Sequence, residues 1–219
     1  MKDFFDILRE CPLFDRIGDE SLKEMLGCLN AKERSYKKGD VVFAEGDKAK
    51  YLGIVLEGSV QLVRVDYYGN RSILANIEPP QLFGEAFACA GLKSLPVDAV
   101  AAADTKILLL DAQRIARPCG NACPCHGQTI LNLLHIVAKK NLVLHQKIEI
   151  TSKRSTREKL MTYLLLQAKN AKSHTFTIPY DRQELADYLE VDRSGLSAEI
   201  SKLRNEKVLE CRRRTFTLL

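Results

Sequence analysis

Tryptophan is absent from the 219 residues, and methionine occurs only 3 times. Without tryptophan there are few side chains on which an unpaired base could stack. No run of about eighteen apolar residues occurs, which argues against a helical membrane span. The opening MKDFFDILRE lacks the apolar core of a secretory signal, so a soluble, cytoplasmic protein with no membrane partner is expected. No phosphate-cradling glycine loop, nucleophile–base pair or paired-carboxylate pattern stands out, and an enzyme is not expected. Internal repeats and low-complexity segments are missing too. What is present is 46% hydrophobic residues, ample for one large or two small packed domains.

Charge is unevenly placed. From Lys153 to Leu219 there are 14 Lys+Arg against 9 Asp+Glu, whereas Met1 to Ser152 carries 19 of each. The whole net charge of +5 therefore lies in the last third, where a polyanion would be met.

The stretch that organises the chain is Gln128 to Ile150. Ile130, Leu134, Val137, Asn141, Leu144 and Ile148 recur at alternating spacings of four and three, the apolar seam of a two-stranded coiled coil. Asn141 is the polar position of that seam, suited to bond its twin and fix register. Leu131, Leu133, Ile136, Leu142 and Val143 widen the apolar face, so one helix can serve its own domain and a partner. A helix packed only on its own domain is the alternative.

Before this spine, Asp19 to Leu29 reads as a helix with Asp19 as N-cap and Leu22, Met25, Leu26 and Leu29 on one face. From Ser35 to about Asp111 short β-type runs alternate with glycine. Tyr68-Gly69-Asn70 marks a hairpin, and Gly39, Gly46 and Gly58 mark tight turns with φ above zero. Many short strands at this spacing predict an all-β barrel or jelly roll. Asp111 to Gly127 is read as helical at first, then broken by Pro118, Gly120 and Pro124.

After a polar hinge at Thr151 to Thr156, Arg157 to Ala171 has the apolar period of a support helix. FTIPY is a short extended piece. Asp181 and Glu184 form a capping box that opens a second helix with Leu185, Ala186, Tyr188 and Leu189 inward. The chain turns at Glu190-Val191, and Asp192 caps a third helix, Arg193 to Glu206, with Leu196, Ile200 and Leu203 inward. Helix, tight turn, helix at this spacing is the helix-turn-helix plan, in which the second helix enters the major groove. Arg193, Ser194 and Ser197 then face base edges, since arginine suits a bidentate bond to guanine and serine a short adaptable one. Lys202 and Arg204 are expected on phosphates. ECRRRTFTLL suits a β-hairpin wing whose Arg212, Arg213 and Arg214 reach the DNA backbone.

On these residues the chain resembles the Crp/Fnr family of bacterial transcription regulators. Its strongest carriers are IPYDRQELADYLEVDRSGLSAEISKLR and the step Phe83-Gly84-Glu85. The resemblance implies an α+β protein: an N-terminal β jelly-roll (double-stranded β-helix) barrel over 1–127, a dimerisation helix over 128–150 and a winged helix-turn-helix over 151–219. It implies a homodimer on double-stranded DNA with a pseudo-palindromic site, and a contact with RNA polymerase. Leu134, Val137, Asn141, Leu144 and Ile148 would form the dimer seam. Gly84, Glu85, Cys89 and Leu95 would line the effector pocket. In cyclic-AMP-responsive members the glutamate equivalent to Glu85 bonds the ribose, and an arginine about ten residues later clamps the phosphate. Gly91 to Val97 contains no arginine, with Leu95 or Pro96 in its place, so a buried phosphate would lack a bidentate cation. Cyclic AMP is therefore not the expected effector, and Glu85 is expected to bond backbone amides in its turn.

Seven cysteines in a cytoplasmic chain point to free, metal-binding or redox-active thiols. Cys119, Cys123, Cys125 and His126 fall within eight residues just before the spine. The three thiols, with the imidazole or a distant thiol such as Cys89 as the fourth ligand, would complete a set for zinc or an iron–sulfur cluster. Cys11-Pro12 and Cys123-Pro124 resemble the cysteine-proline signature of haem sensors. A thiol–disulfide switch and ordinary packed thiols are the other readings; Cys28, Cys211, His135 and His145 are read as inert. The expected function is a sequence-specific DNA-binding regulator controlled by an effector, redox or metal signal. The competing one is a metal- or redox-handling protein whose C-terminal module serves as an interaction domain.

Overall fold

The computed structural model describes residues 4–116 and 124–219, which divide into two compact units. One comprises Met1–Val65 and Leu74–Asn141, the other Asp66–Ile73 and Leu142–Leu219.

In the first unit, helices α1 (Phe4–Glu10) and α2 (Asp19–Cys28), with a 3-10 turn at Pro12–Phe14 between them, precede two four-stranded antiparallel sheets. The strands are β1 (Lys32–Tyr36), β2 (Val41–Phe43), β3 (Tyr51–Glu57), β4 (Val60–Val65), β5 (Arg71–Ile77), β6 (Leu82–Phe83), β7 (Asp98–Ala101) and β8 (Thr105–Asp111). One sheet has the order β1-β8-β3-β6 and the other β2-β7-β4-β5. Short helices α3 (Glu85–Cys89) and α4 (Ala112–Ala116) follow β6 and β8.

The period of two along β3 and β8 decides the packing. Leu52, Ile54 and Leu56, with Leu108 and Leu110, join α1, α2 and the spine residues Leu133 and Ile136 in one core. Val55 and Ile107, on the opposite face, join Val60, Ile77, Phe83 and Ala99 in a second core. Gly53 makes room for the Phe83 ring, since a Cβ there would lie 2.3 Å from Phe83 Cζ. Positive φ holds at Gly39 (+92°), Gly46 (+90°) and Gly58 (+80°). The β4–β5 hairpin turns at Gly69 (φ +83°). Its organiser is Asp66, whose Oδ1 accepts from the amides of Tyr68 and Asn70 at 2.8 and 2.9 Å.

Three local expectations change. Gly18 rather than Asp19 is the N-cap of α2; Asp19 is the first helical residue, and both its oxygens accept from Arg9, at 2.9 and 2.6 Å. The first strand begins at Lys32 rather than Ser35; its polar Lys32–Arg34 segment is tolerated because β1 is an edge strand with an exposed face. Pro124 opens the spine helix α5 (Pro124–Thr151) instead of interrupting a segment before it. Proline is compatible with a first helical turn, where its missing N–H has no intrahelical partner anyway.

In the second unit, α6 (Thr156–Ala171), α7 (Arg182–Leu189) and α8 (Arg193–Asn205) pack on a three-stranded sheet. Its order is β10-β11-β9, with β9 at Thr175–Thr177, β10 at Leu209–Arg212 and β11 at Thr215–Leu218. The extended FTIPY piece thus supplies a wing strand. Ser155, in the polar hinge, caps α6 in a capping box with Glu158. Ile73, from the hairpin that belongs to this unit, is fully buried in its core, and Arg71 Nη1 pairs with buried Asp187 at 3.0 Å.

Candidate nucleic-acid interface and barrel site

Both helix starts are fixed by side chains. Asp181 and Glu184 form the capping box of α7, and Glu190, in the left-handed region at φ +53°, ends that helix. Asp192 caps α8: its Oδ2 accepts from the Gly195 amide at 2.9 Å and from the Ser194 hydroxyl. These bonds, the serine's first, hold the Asp192 carboxyl below the usual range. Leu196, Ile200 and Leu203 are buried, which turns the opposite side of α8 to solvent.

Arg193, Ser194, Lys202 and Arg204 are exposed there, and Ser197 is half-buried. Ala198, Ser201 and Asn205 are exposed as well and belong to the same outward surface, although they were not singled out in the sequence. Counting 3.6 residues per turn from the inward triplet would have found them. From α6, Arg157 steadies this helix, bonding Glu206 at 2.5 Å and approaching Glu199 at 3.6 Å. The Glu206 bond is the first cause of the raised Arg157 pKa and the lowered Glu206 pKa.

The wing turns at Arg213, whose φ is +55°. Arg212, Arg213 and Arg214 are all exposed, and Arg214 Nη2 lies 3.7 Å from Glu184 Oε2. Between the C-terminal half of α8 and the wing runs a groove of about 640 Å³, lined among others by Ser201, Arg204, Asn205, Arg212, Thr215 and Thr217. Hydroxyls and guanidinium groups at such a rim suit phosphate oxygens. Cys211 is half-buried in the same groove, with Arg182 Nη2 3.5 Å from its sulfur.

On α5, Ile130, Leu134, Leu144 and Ile148 are exposed and Val137 is half-buried, while Leu133 and Ile136 face the core. Asn141 is exposed in the row of Leu134 and Ile148. Further along, Lys147 is only 8% exposed. Its ammonium sits 3.7 Å from the centre of the Tyr188 ring and donates to the Tyr188 carbonyl. Desolvation lowers its pKa to about 8, against a smaller opposing pull from Glu190. The unfolded chain therefore holds this proton to higher pH than the folded one, and stability rises as pH increases from about 8 towards the ordinary lysine value. In thermal unfolding from pH 7 to 10, wild type should gain on the order of 1–3 kcal/mol relative to Lys147→Met. Parallel pH profiles would show that Lys147 does not carry that penalty.

In the barrel, Gly84 adopts φ +79° and Glu85 begins α3 with 2% exposure. The expectation that Glu85 bonds turn amides is not met: Oε1 pairs with Lys140 Nζ of α5 at 2.8 Å. A lysine delivered from the spine competes better for a buried carboxylate than neutral amides do. Cys89, one turn on, is exposed, and its thiol pKa is raised by desolvation and then by the Glu85 charge. Leu95 is buried, with its backbone bonded to Gly46 and Asp47 at 2.9 and 2.8 Å.

Of the proposed metal ligands, Cys119 and Cys123 lie outside the described residues. Cys125 is half-buried and His126 buried in the first turns of α5. Among the described residues no three His, Cys, Asp or Glu side chains group as a metal site. Cys11 is buried in the first core beside Leu8, Leu13 and Phe14, and that burial pushes its thiol up to about 12. Cys28 is exposed. No helix among the described residues is long and apolar enough to cross a membrane.

Residues 33–120 match the family model of the cyclic nucleotide-binding domain, and residues 158–219 that of the Crp-like helix-turn-helix domain. The chain is 28% identical over 214 residues to the "Probable transcriptional regulator flp" of Lacticaseibacillus casei, covering 91% of this chain and 87% of that protein. It is 23% identical over 187 residues to the transcriptional activator protein FnrL of Cereibacter sphaeroides, covering 80% and 71%. Among solved structures, FixK2 from Bradyrhizobium japonicum superposes with a TM-score of 0.69 at 23% identity, covering 86% of this chain and 92% of its own. The c-di-GMP responsive global regulator CLP of Xanthomonas campestris gives 0.76 at 17%, covering 92% and 99%.

Proposed function

Because the chain belongs to the Crp/Fnr family of transcriptional regulators, we propose that it binds a pseudo-palindromic DNA site as a homodimer, with α8 in the major groove. On this reading it acts on transcription through RNA polymerase. The observation that carries the proposal is α8 itself: a capped helix with three buried leucine or isoleucine side chains on one side and Arg193, Ser194, Ala198, Ser201 and Asn205 on the other. Two such helices about 34 Å apart, joined through the exposed apolar rows of α5, would meet successive major grooves of one duplex face. Lys202, Arg204, Arg212 and Arg213 supply the phosphate contacts, with Arg214 partly held by Glu184.

Cyclic AMP fits the barrel poorly. The carboxylate that would take its ribose is already held by Lys140, and no arginine lies between Gly91 and Val97 to neutralise a buried phosphate. The signal is proposed to be another effector, or redox or metal chemistry in the cysteine segment around Cys119 to His126.

Selection from random-sequence DNA tests the reading. The wild type should enrich inverted half-sites, with an affinity that falls steeply with salt. Arg193→Ala should lose a guanine preference of about 1–3 kcal/mol in each half-site, yet keep most of its non-specific binding. An unchanged consensus would remove Arg193 from base reading, and no consensus at all would refute sequence-specific binding.

A further inference from the structure

Lys140 reaches from α5 to the step between β6 and α3, where its Nζ donates to the Leu82 carbonyl at 2.5 Å and pairs with Glu85 Oε1 at 2.8 Å. Glu85 is almost fully enclosed, and its second oxygen, Oε2, is buried with no hydrogen-bond partner among the described residues. An ionised carboxylate so placed is costly without a counter-ion. The lysine supplies that counter-ion, and with it a donor for a backbone carbonyl.

The acceptor side is rigid. Gly84 holds φ +79°, and a Cβ there would come within 3.2 Å of the Tyr51 carbonyl. The donor side is a flexible four-carbon stem on a helix. Seven residues on, and so on the same helical face, Lys147 makes the corresponding contact in the second unit, to Tyr188.

We propose that Lys140 is an internal ligand of the barrel: its ammonium, seated on Glu85 and the Leu82 carbonyl, fixes the register of α5 in the way a bound small molecule would, and DNA affinity depends on that seat. Lys140 is thus a positioning residue that acts through the spine helix without touching DNA. The proposal rests on the DNA-binding reading above.

A double-mutant cycle in the full chain tests it, with selected operator DNA and fluorescence anisotropy as readout. Lys140→Met and Glu85→Gln should each weaken binding about tenfold, and the double variant no further, because both remove one interaction. Lys140→Ala should regain most of its loss in propylammonium chloride, but not in sodium chloride of the same concentration, while the wild type responds alike to both. Folded variants that bind as tightly as wild type, losses that add, or no amine rescue would each overturn the proposal and leave DNA reading intact. A fall in Tm without a fall in affinity would assign the pair to stability alone and overturn it as well. If the wild type shows no sequence preference, both readings fail together. Should Lys140→Ala not fold, the Met and Gln variants, which preserve side-chain volume, decide the question.

Discussion

Leu134→Glu combined with Ile148→Glu is expected to leave a folded monomer whose operator affinity is at least about a hundredfold below that of the wild type. Leu134 is 63% and Ile148 61% exposed, although both lie on a helix whose Leu133, Ile136 and Ile150 are buried in the chain's own cores. Such large aliphatic side chains, fourteen residues apart and so on one helical face, lose a substantial hydrophobic penalty only when covered. Each covered Leu or Ile contributes about 1.5–3 kcal/mol, and a twofold axis counts each position twice. Glutamates at both positions replace that gain with like charges facing each other across the axis. The chain's own cores lose nothing, since neither side chain belongs to them. A monomer would engage one half-site without the effective concentration that links the second. Sedimentation and operator titration check both parts. A variant that still sediments as a dimer would move the interface away from α5.

The helix-turn-helix was legible because its signals are local. Asp181 with Glu184, Asp192 with Gly195, and the Leu196, Ile200 and Leu203 spacing all act within a few residues, and each is found where the pattern put it. The outward residues Ala198, Ser201 and Asn205 follow from the same period but carry no charge to draw notice. In the barrel, the short apolar runs that form β3 and β8 were readable as strands, while β1 was cut short because an edge strand needs no apolar period. The Lys140–Glu85 pair was not legible at all. Its partners are 55 positions apart, and nothing in the neighbourhood of Lys140 distinguishes it from Lys139, which is exposed. Glu85 was recognised through a family pattern, yet its partner is set by the packing of α5 on the barrel. The Asp19 cap failed for a related reason: Arg9, ten residues earlier, takes both carboxylate oxygens, and a distant cation outweighs a local amide.

Gly58→Ala should be among the most destabilising single-methyl additions in the barrel. Gly58 turns the chain between β3 and β4 at φ +80°, and a Cβ there would lie 2.3 Å from the Asp104 carbonyl oxygen and 2.9 Å from Thr105 Cα. Both obstacles are backbone, so no rotamer change relieves them. Thr105 is itself fixed: its buried hydroxyl has the Ala103 and Ser59 carbonyls at 2.8 and 3.0 Å as acceptors for its one proton, and accepts from the Ser59 amide at 3.2 Å. To admit the methyl, the β3–β4 turn would have to lift from the start of β8 and break that clamp. Left-handed strain adds about 1 kcal/mol, and separating the backbones with loss of the Thr105 bonds brings the expected cost to about 2–4 kcal/mol. Gly39→Ala is the control. Gly39 has φ +92° but nothing within 4 Å of its added Cβ, so it carries the conformational strain alone, about 1 kcal/mol. Chemical denaturation of both variants separates the two contributions. Equal losses would mean that the approach of Asp104 to the turn contributes nothing, and a larger loss at Gly58 measures how tightly β8 holds the β3–β4 hairpin.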